Sequence, residues 1–211
     1  MERIGESCGL WRVGRGVSEA NSARVHGLYR RLDAERTAGR LKVWDVVPGY
    51  DSLAVHFDPL ATDVAELQRQ VEAWLSELDG DAEAEAHAGE TVTLSVRYDG
   101  PDLARVAEHT GLTTDEVVER HTAPSYTVAA IGFMPHFPYL LGLDPALATP
   151  RLASPRVRVP AGSVAIGNDQ TGVYPQDSPG GWNLIGTADP ALLTTLRPGD
   201  RVLFEAVGVT A

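Results

Sequence analysis

The stretch Val-Arg-Val-Pro-Ala-Gly-Ser-Val-Ala-Ile, Val157 to Ile166, holds two short β-branched runs. Pro160-Ala161-Gly162 separates them, and Pro and Gly are residues that turn a chain. The same texture extends both ways. Tyr126 to Ile131, Asn183 to Ile185 and Arg201 to Ala206 are also short and rich in β-formers, and most of the 14 prolines lie from Pro135 onward. Leu196-Arg197-Pro198-Gly199-Asp200 reads as the turn feeding the last of these pieces. Many short strands punctuated by Pro and Gly predict a β-barrel or sandwich.

Upstream the periodicity is different. Ser18 to Arg36 reads as a helix that Ser18 can cap, with Val25, Leu28, Tyr29 and Leu32 on one face. Leu41 to Val47 and Ser52 to Phe57 read as strands joined by the turn residues Pro48-Gly49-Tyr50-Asp51. Val64 to Leu78 is a second helix, with capping spacing at Asp63 and Glu66. With a strand near Gly9 to Val13, the order is β-α-β-β-α and then a last strand, the split β-α-β or ferredoxin-like arrangement. Each helix is then placed to cover one face of a small antiparallel sheet.

Asp79 to Glu90 is acidic and Ala-rich, as a linker would be. Thr91 to Tyr98 alternates, and either closes the first lobe or opens the second. Pro101 and Gly111 bound one short helix, and Thr113 with Glu116 caps another that ends near His121. The fold class expected is α+β, with a first domain over 1–88 and a second over 89–211.

Composition narrows function. A formal net charge of -11 and a pI near 4.9 oppose attraction to nucleic acid or anionic lipid. No apolar run approaches the roughly 20 residues of a membrane span. Met1 to Glu6 lacks the pattern of a signal peptide. Cys8 is the single cysteine, so no internal disulfide forms and a reduced cytoplasm is expected; near a terminus and without an evident His partner, it reads as incidental. Neither a Gly-x-x-x-x-Gly-Lys-Ser/Thr element nor metal-ligand spacing is present.

The candidate chemistry lies between Gly132 and Gly186. The loop containing Phe133, Pro135, His136, Phe137 and Tyr139 is a rigid aromatic segment able to wall a pocket. Thr149-Pro150-Arg151 and Ser154-Pro155-Arg156 each place an Arg after a Pro-stiffened turn, and Arg forks suit carboxylate or phosphate. Gln170, Thr171, Tyr174 and Trp182 can supply neutral hydrogen bonds and a stacking face. His121 can either interact with its helix C-terminus or face the pocket, and is the candidate catalytic group. His87 and His109 are dispersed.

These residues carry a resemblance. His-Thr-Ala-Pro-x-Tyr (His121 to Tyr126), Gly-Phe-Met-Pro-x-Phe-Pro-Tyr-Leu (Gly132 to Leu140), Thr-Pro-Arg with Ser-Pro-Arg (Thr149 to Arg156), Val-Pro-Ala-Gly-Ser-Val-Ala-Ile (Val159 to Ile166), Gln-Thr-Gly-Val-Tyr-Pro (Gln170 to Pro175) and Ser-Pro-Gly-Gly-Trp-x-Leu-Ile-Gly (Ser178 to Gly186) occur in fixed order. Together they resemble the family of 5-oxoprolinase B subunits, which also includes Kip-type inhibitors of sporulation histidine kinase and allophanate hydrolase subunit 1-like proteins, and is related to half of a urea carboxylase carboxyltransferase domain. The resemblance implies a small α/β lobe followed by a cyclophilin-like β-barrel. It implies ATP-dependent opening of 5-oxoproline to glutamate by a complex with A and C subunits, ATP acting in the assembled complex and a small carboxylate as substrate. The alternative it carries is a regulatory module that docks a sensor kinase.

Departures from the family pattern are His136 and Leu141, where the family has Gly, and Asn168-Asp169, where it tends to a second small residue. The segments at Asp99-Gly100 and between Gly186 and Leu196 are also shortened. The expectation for His136 is that it faces the groove mouth. The expectation for Arg156, Gln170 and Tyr174 is that they share one groove with the aromatic loop.

Overall fold

The computed structural model describes residues 1–81 and 89–208. The chain divides into two compact units, Met1–Ala88 and Gly89–Ala211. His87 and most of the acidic stretch read as a linker lie outside the described residues.

In the first unit, Glu2–Arg3 (β1), Cys8–Arg12 (β2), Asp45–Pro48 (β3) and Ser52–His56 (β4) form an antiparallel sheet in the order β1-β2-β4-β3. β4 lies between β2 and β3, which the helix Glu19–Thr37 (α1) connects; this is the split β-α-β arrangement. The edge beside β2 is taken by the two-residue β1, not by a strand following the helix Val64–Asp81 (α2). Ser18 caps α1 by accepting from the Asn21 N–H, and Asp63 accepts from the Ala65 and Glu66 N–H groups at the start of α2.

Both helices cover the same sheet face. Val25, Leu28 and Leu32 of α1 meet Leu67, Val71 and Trp74 of α2 over Trp11, Val46, Leu53 and Val55. The other face carries Cys8 and, opposite it, His56, with Sγ 3.9 Å from Nε2. Burial pushes the Cys8 thiol up, away from the thiolate a nucleophile requires.

The second unit is a closed seven-stranded barrel with helices against it. Its strands are Thr91–Arg97 (β5), Tyr126–Ile131 (β6), Pro138–Leu141 (β7), Ser163–Gly167 (β9), Gln170–Val173 (β10), Asn183–Ala188 (β12) and Arg201–Ala206 (β13), ordered β10-β7-β6-β13-β5-β12-β9 around the ring. Thr91 to Tyr98 therefore opens the second unit, and Leu94, Val96 and Tyr98 all join its core. Arg156–Val159 (β8) and Ser178–Gly180 (β11) pair with each other outside the ring. Leu103–Thr110 (α3) ends on Gly111 at φ 72°, and Thr114–Thr122 (α4) begins with a complete capping box between Thr113 and Glu116. Val106, Ala107 and Val117 from these helices pack into the barrel core.

Side chains alternate across the barrel wall, as the strand period requires. Val164, Ile166, Val173 and Ile185 belong to the interior core. Their neighbours Ala165, Tyr174 and Leu184 belong to a separate apolar cluster with Phe137, Val159 and Trp182. The candidate site is built on this outer side.

Candidate functional site

The loop between β6 and β7 is closed by three backbone hydrogen bonds. Gly132 N–H donates to Phe137 O at 3.1 Å, Met134 N–H to Gly132 O at 2.7 Å, and Phe137 N–H to Met134 O at 3.2 Å. The last of these defines a β-turn with Pro135 and His136 at its centre. Pro suits the first central position, and His136 at φ 65° has the positive φ that a type II turn demands of the second. Glycine meets that demand without strain, which gives a backbone reason for the expectation of glycine at this position. Both Pro135 and His136 are exposed.

The turn presents Phe137 inward, where its ring meets those of Tyr139, Tyr174 and Trp182 edge-on at centroid distances of 5.0, 5.2 and 5.6 Å. Two glycines give these rings a floor. A Cβ on Gly167 would lie 2.6 Å from the Trp182 indole, and one on Gly172 would lie 3.3 Å from the Phe137 ring and 2.7 Å from Pro138 O. Bare backbone at β9 and β10 thus lets the aromatics lie against the barrel wall.

A cleft of about 260 Å³ opens over this cluster. Its walls include Phe133, Phe137, Tyr139, Arg151, Tyr174 and Trp182, and Pro155, Pro179, Gly180 and Gly181 complete them. The guanidinium of Arg151 sits 5.6 Å over the Trp182 ring. The segment carrying it is fixed on both flanks. Thr149 and Asn168 exchange N–H···O bonds at 3.0 and 2.8 Å, the Asn183 amide donates to Pro150 O at 3.1 Å, and Leu152 N–H donates to Gly181 O at 2.7 Å. Burial raises the Tyr139 and Tyr174 pKa values; the Trp182 backbone opposes the rise at Tyr174, and Arg151 opposes it at both.

Arg156 does not line the cleft. Its guanidinium donates to buried Asp102 at 2.6 Å and to Trp182 O at 3.4 Å, while the second Asp102 oxygen accepts from Leu184 N–H at 2.7 Å. A guanidinium already held by a carboxylate positions Trp182 from behind instead of meeting a ligand. Gln170 is half-buried at the start of β10 and also lies outside the cleft lining. Of the residues expected to share a groove with the loop, the structure therefore brings Tyr174 there and not Arg156 or Gln170. His136 and Pro135, committed to their turn, are likewise absent from the lining.

His121 and Thr171 lie on the other side of the wall. The His121 ring is 0 % exposed and packed among Tyr98, Tyr126 and Phe204. Thr171 Oγ1 donates to Ala165 O at 3.0 Å, so it accepts from His121 Nε2–H at 2.9 Å. Nδ1 is then the acceptor for Tyr98 O–H at 2.8 Å. Burial lowers the His121 pKa to about 3, so the ring is neutral at ordinary pH. This chain of donors ties α4 to β10 and to Tyr98, the residue that follows β5. His121, the candidate catalytic group, and Thr171, a candidate ligand contact, are thus enclosed in the barrel interior and lie apart from the cleft.

Pro155, Pro179, Gly180 and Gly181 were missed as wall residues, although each falls inside a motif quoted above. Their signal is small or rigid residues flanking an aromatic, where backbone forms the surface. Among the described residues no cluster of His, Cys, Asp or Glu could hold a metal ion, and no helix is long and apolar enough to cross a membrane.

Residues 1–199 match the family described as carboxyltransferase domain, subdomain C and D. This chain belongs to that family. It is 41% identical to the 5-oxoprolinase B subunit of Haemophilus influenzae over 98% of its length and 97% of the relative's. It is 39% identical to the 5-oxoprolinase B subunit of Escherichia coli O157:H7, covering 95% of this chain and 93% of that one. The crystal structure of TTHA0988 superimposes with a TM-score of 0.81 at 38% identity, covering 96% of this chain. The chain spans only 40% of TTHA0988. The fold, a small α/β unit and a closed seven-stranded barrel, is thus shared with TTHA0988 along nearly the whole chain.

Proposed function

We propose that this chain is the B subunit of a 5-oxoprolinase, acting with an A and a C-like subunit in the ATP-dependent opening of 5-oxo-L-proline to L-glutamate. The observation that carries this reading is the near full-length match to subunits of that name, at 34% to 41% identity in three bacteria. In the reaction, water adds across the lactam C–N bond, leaving an amine and a second carboxylate.

The cleft supports a binding role in that reaction. 5-Oxoproline is a small ring carrying one carboxylate. Arg151 offers a cation for the carboxylate, and Phe137, Tyr139 and Trp182 offer apolar faces for the ring. The titratable wall residues besides Arg151 are two phenols whose pKa values burial raises, so neither serves as a general base near neutral pH. Chemistry then falls to groups outside this cleft, as a non-autonomous subunit requires. A single guanidinium is also a poor match for a triphosphate, and ATP is assigned to another part of the assembly.

Reconstitution tests the reading. The purified chain with ATP and 5-oxoproline is expected to release no glutamate, and the chain assembled with the A and C-like subunits is expected to release it. Glutamate formed by the chain alone, or none formed by the assembly, would overturn the proposal.

A further inference from the structure

Phe133 is out of keeping with its surroundings. It stands at φ 66°, in the left-handed region that L side chains rarely adopt, and its large apolar ring is 62 % exposed. Four residues later Phe137 is buried, and the two rings meet edge-on at 5.5 Å. The unfavourable backbone cannot relax, because the Met134-to-Gly132 hydrogen bond closes over Phe133 and the Gly132-to-Phe137 bond closes the whole loop. A residue held in a sparsely populated conformation by its surroundings is a mark of a functional position. Here the result is a ring fixed at the mouth of the cleft, on whose lining it lies together with Arg151.

We propose that Phe133 is a specificity-determining residue of the cleft, the closing face for a small acid whose ring is apolar or flat and whose anion goes to Arg151. This rests on reading the cleft as the site for a small carboxylate, and names what selects that carboxylate. A ring already held in place loses little freedom when a ligand covers it, so its burial counts toward affinity almost in full. An acid with a ring would be preferred over an open-chain acid of equal charge, because only the former buries the Phe133 face.

The test uses Phe133→Gly and Phe133→Tyr in the full chain, titrated calorimetrically with 5-oxoproline and with benzoate, with and without the partner subunits. Glycine adopts the turn without strain, so Phe133→Gly should raise the melting temperature by a few degrees while weakening both acids about tenfold. Phe133→Tyr keeps the ring and should bind within about twofold of the parent. In an active assembly, Phe133→Gly should raise KM about tenfold and lower kcat far less. A purely structural role would move stability and affinity in the same direction. Unchanged affinity in Phe133→Gly, or no saturable binding of either acid by the parent under both conditions, overturns the inference. So does weakened association with the partner subunits while acid binding is unaltered. An assembly that binds these acids but makes no glutamate overturns the enzyme reading alone and leaves Phe133 its role.

Discussion

The two sides of the barrel wall are made by the same strands and treated oppositely. Inward from β9 and β10, the polar groups of His121, Thr171 and Tyr98 form a chain in which each donor has an acceptor, with His121 and Thr171 fully buried. Outward from the same strands, aromatic rings lie on bare glycine backbone beneath an open cleft, and Arg151 stacks on an indole in a lining that holds no carboxylate. A closed, satisfied polar network contributes stability and a fixed register. An incompletely covered apolar surface next to a cation is what remains for a ligand. The same distinction separates the two arginines, one held by Asp102 and the other left at the cleft.

Substitutions should fall on one side or the other of this division. The largest effect is expected from His121→Ala, which opens a cavity and leaves Tyr98 and Thr171 without their partner. It should destabilise the fold by about 3–5 kcal/mol in urea unfolding. A loss below about 1 kcal/mol would mean the interior network is dispensable.

Protonation probes the same network. The unfolded histidine takes a proton near pH 6.5 and folded His121 only near 3, so between these values the unfolded state binds the additional proton. The contribution is complete above pH 6.5 and is lost as pH falls toward 3, at about 1.4 kcal/mol per pH unit. The difference in unfolding free energy between the parent and His121→Gln should show this slope and flatten above pH 6.5. A difference independent of pH would contradict the enclosed, neutral ring.

On the outer side, Gly167→Ala should force the Trp182 indole from its place. We expect about 1–3 kcal/mol of destabilisation, and weaker binding of 5-oxoproline by calorimetry. Arg151→Ala sharpens the division furthest. Unfolding free energy should change by less than about 0.5 kcal/mol, while affinity for the acid falls about tenfold. Equal effects on both measurements would erase the distinction between the two faces.

The sequence carried the elements well wherever local chemistry sets them. Ser18, Thr113 with Glu116, and Gly111 marked helix ends because caps act over a few residues. Strands β7 and β10 were less visible. Pro-Tyr-Leu-Leu sits at the end of an aromatic loop, and Gln-Thr-Gly-Val has a glycine where a strand former is expected, since the Phe137 ring needs that space. The helix α2 runs to Asp81, three residues beyond Leu78.

Within the candidate site, the aromatic loop, Arg151, Tyr174 and Trp182 were each legible as candidate contacts, while the groove itself was expected around Tyr174 together with Arg156 and Gln170. Which arginine is free was not, because the answer depends on Asp102, 54 residues from Arg156. Nor was the side of the wall on which His121 lies. Its partners Tyr98 and Thr171 are 23 and 50 residues away, and no local pattern records that they converge.

The pairing of β13 with β5 bears on how such a chain comes to be folded. The two strands run parallel over six matched pairs, from Arg201 beside Thr91 to Ala206 beside Val96, and the adjoining Glu90 N–H reaches Asp200 across 110 residues. The strand that begins the barrel therefore waits for the strand that ends it. During synthesis the first lobe can collapse on its own helices while β5 and β6 still lack their shared neighbour, with apolar faces and strand edges uncovered. Long-range parallel closure is slow once all the parts are present. The barrel should thus be the late and vulnerable half of folding, and the interval before β13 arrives is when a chaperone or an assembling partner would find most to hold.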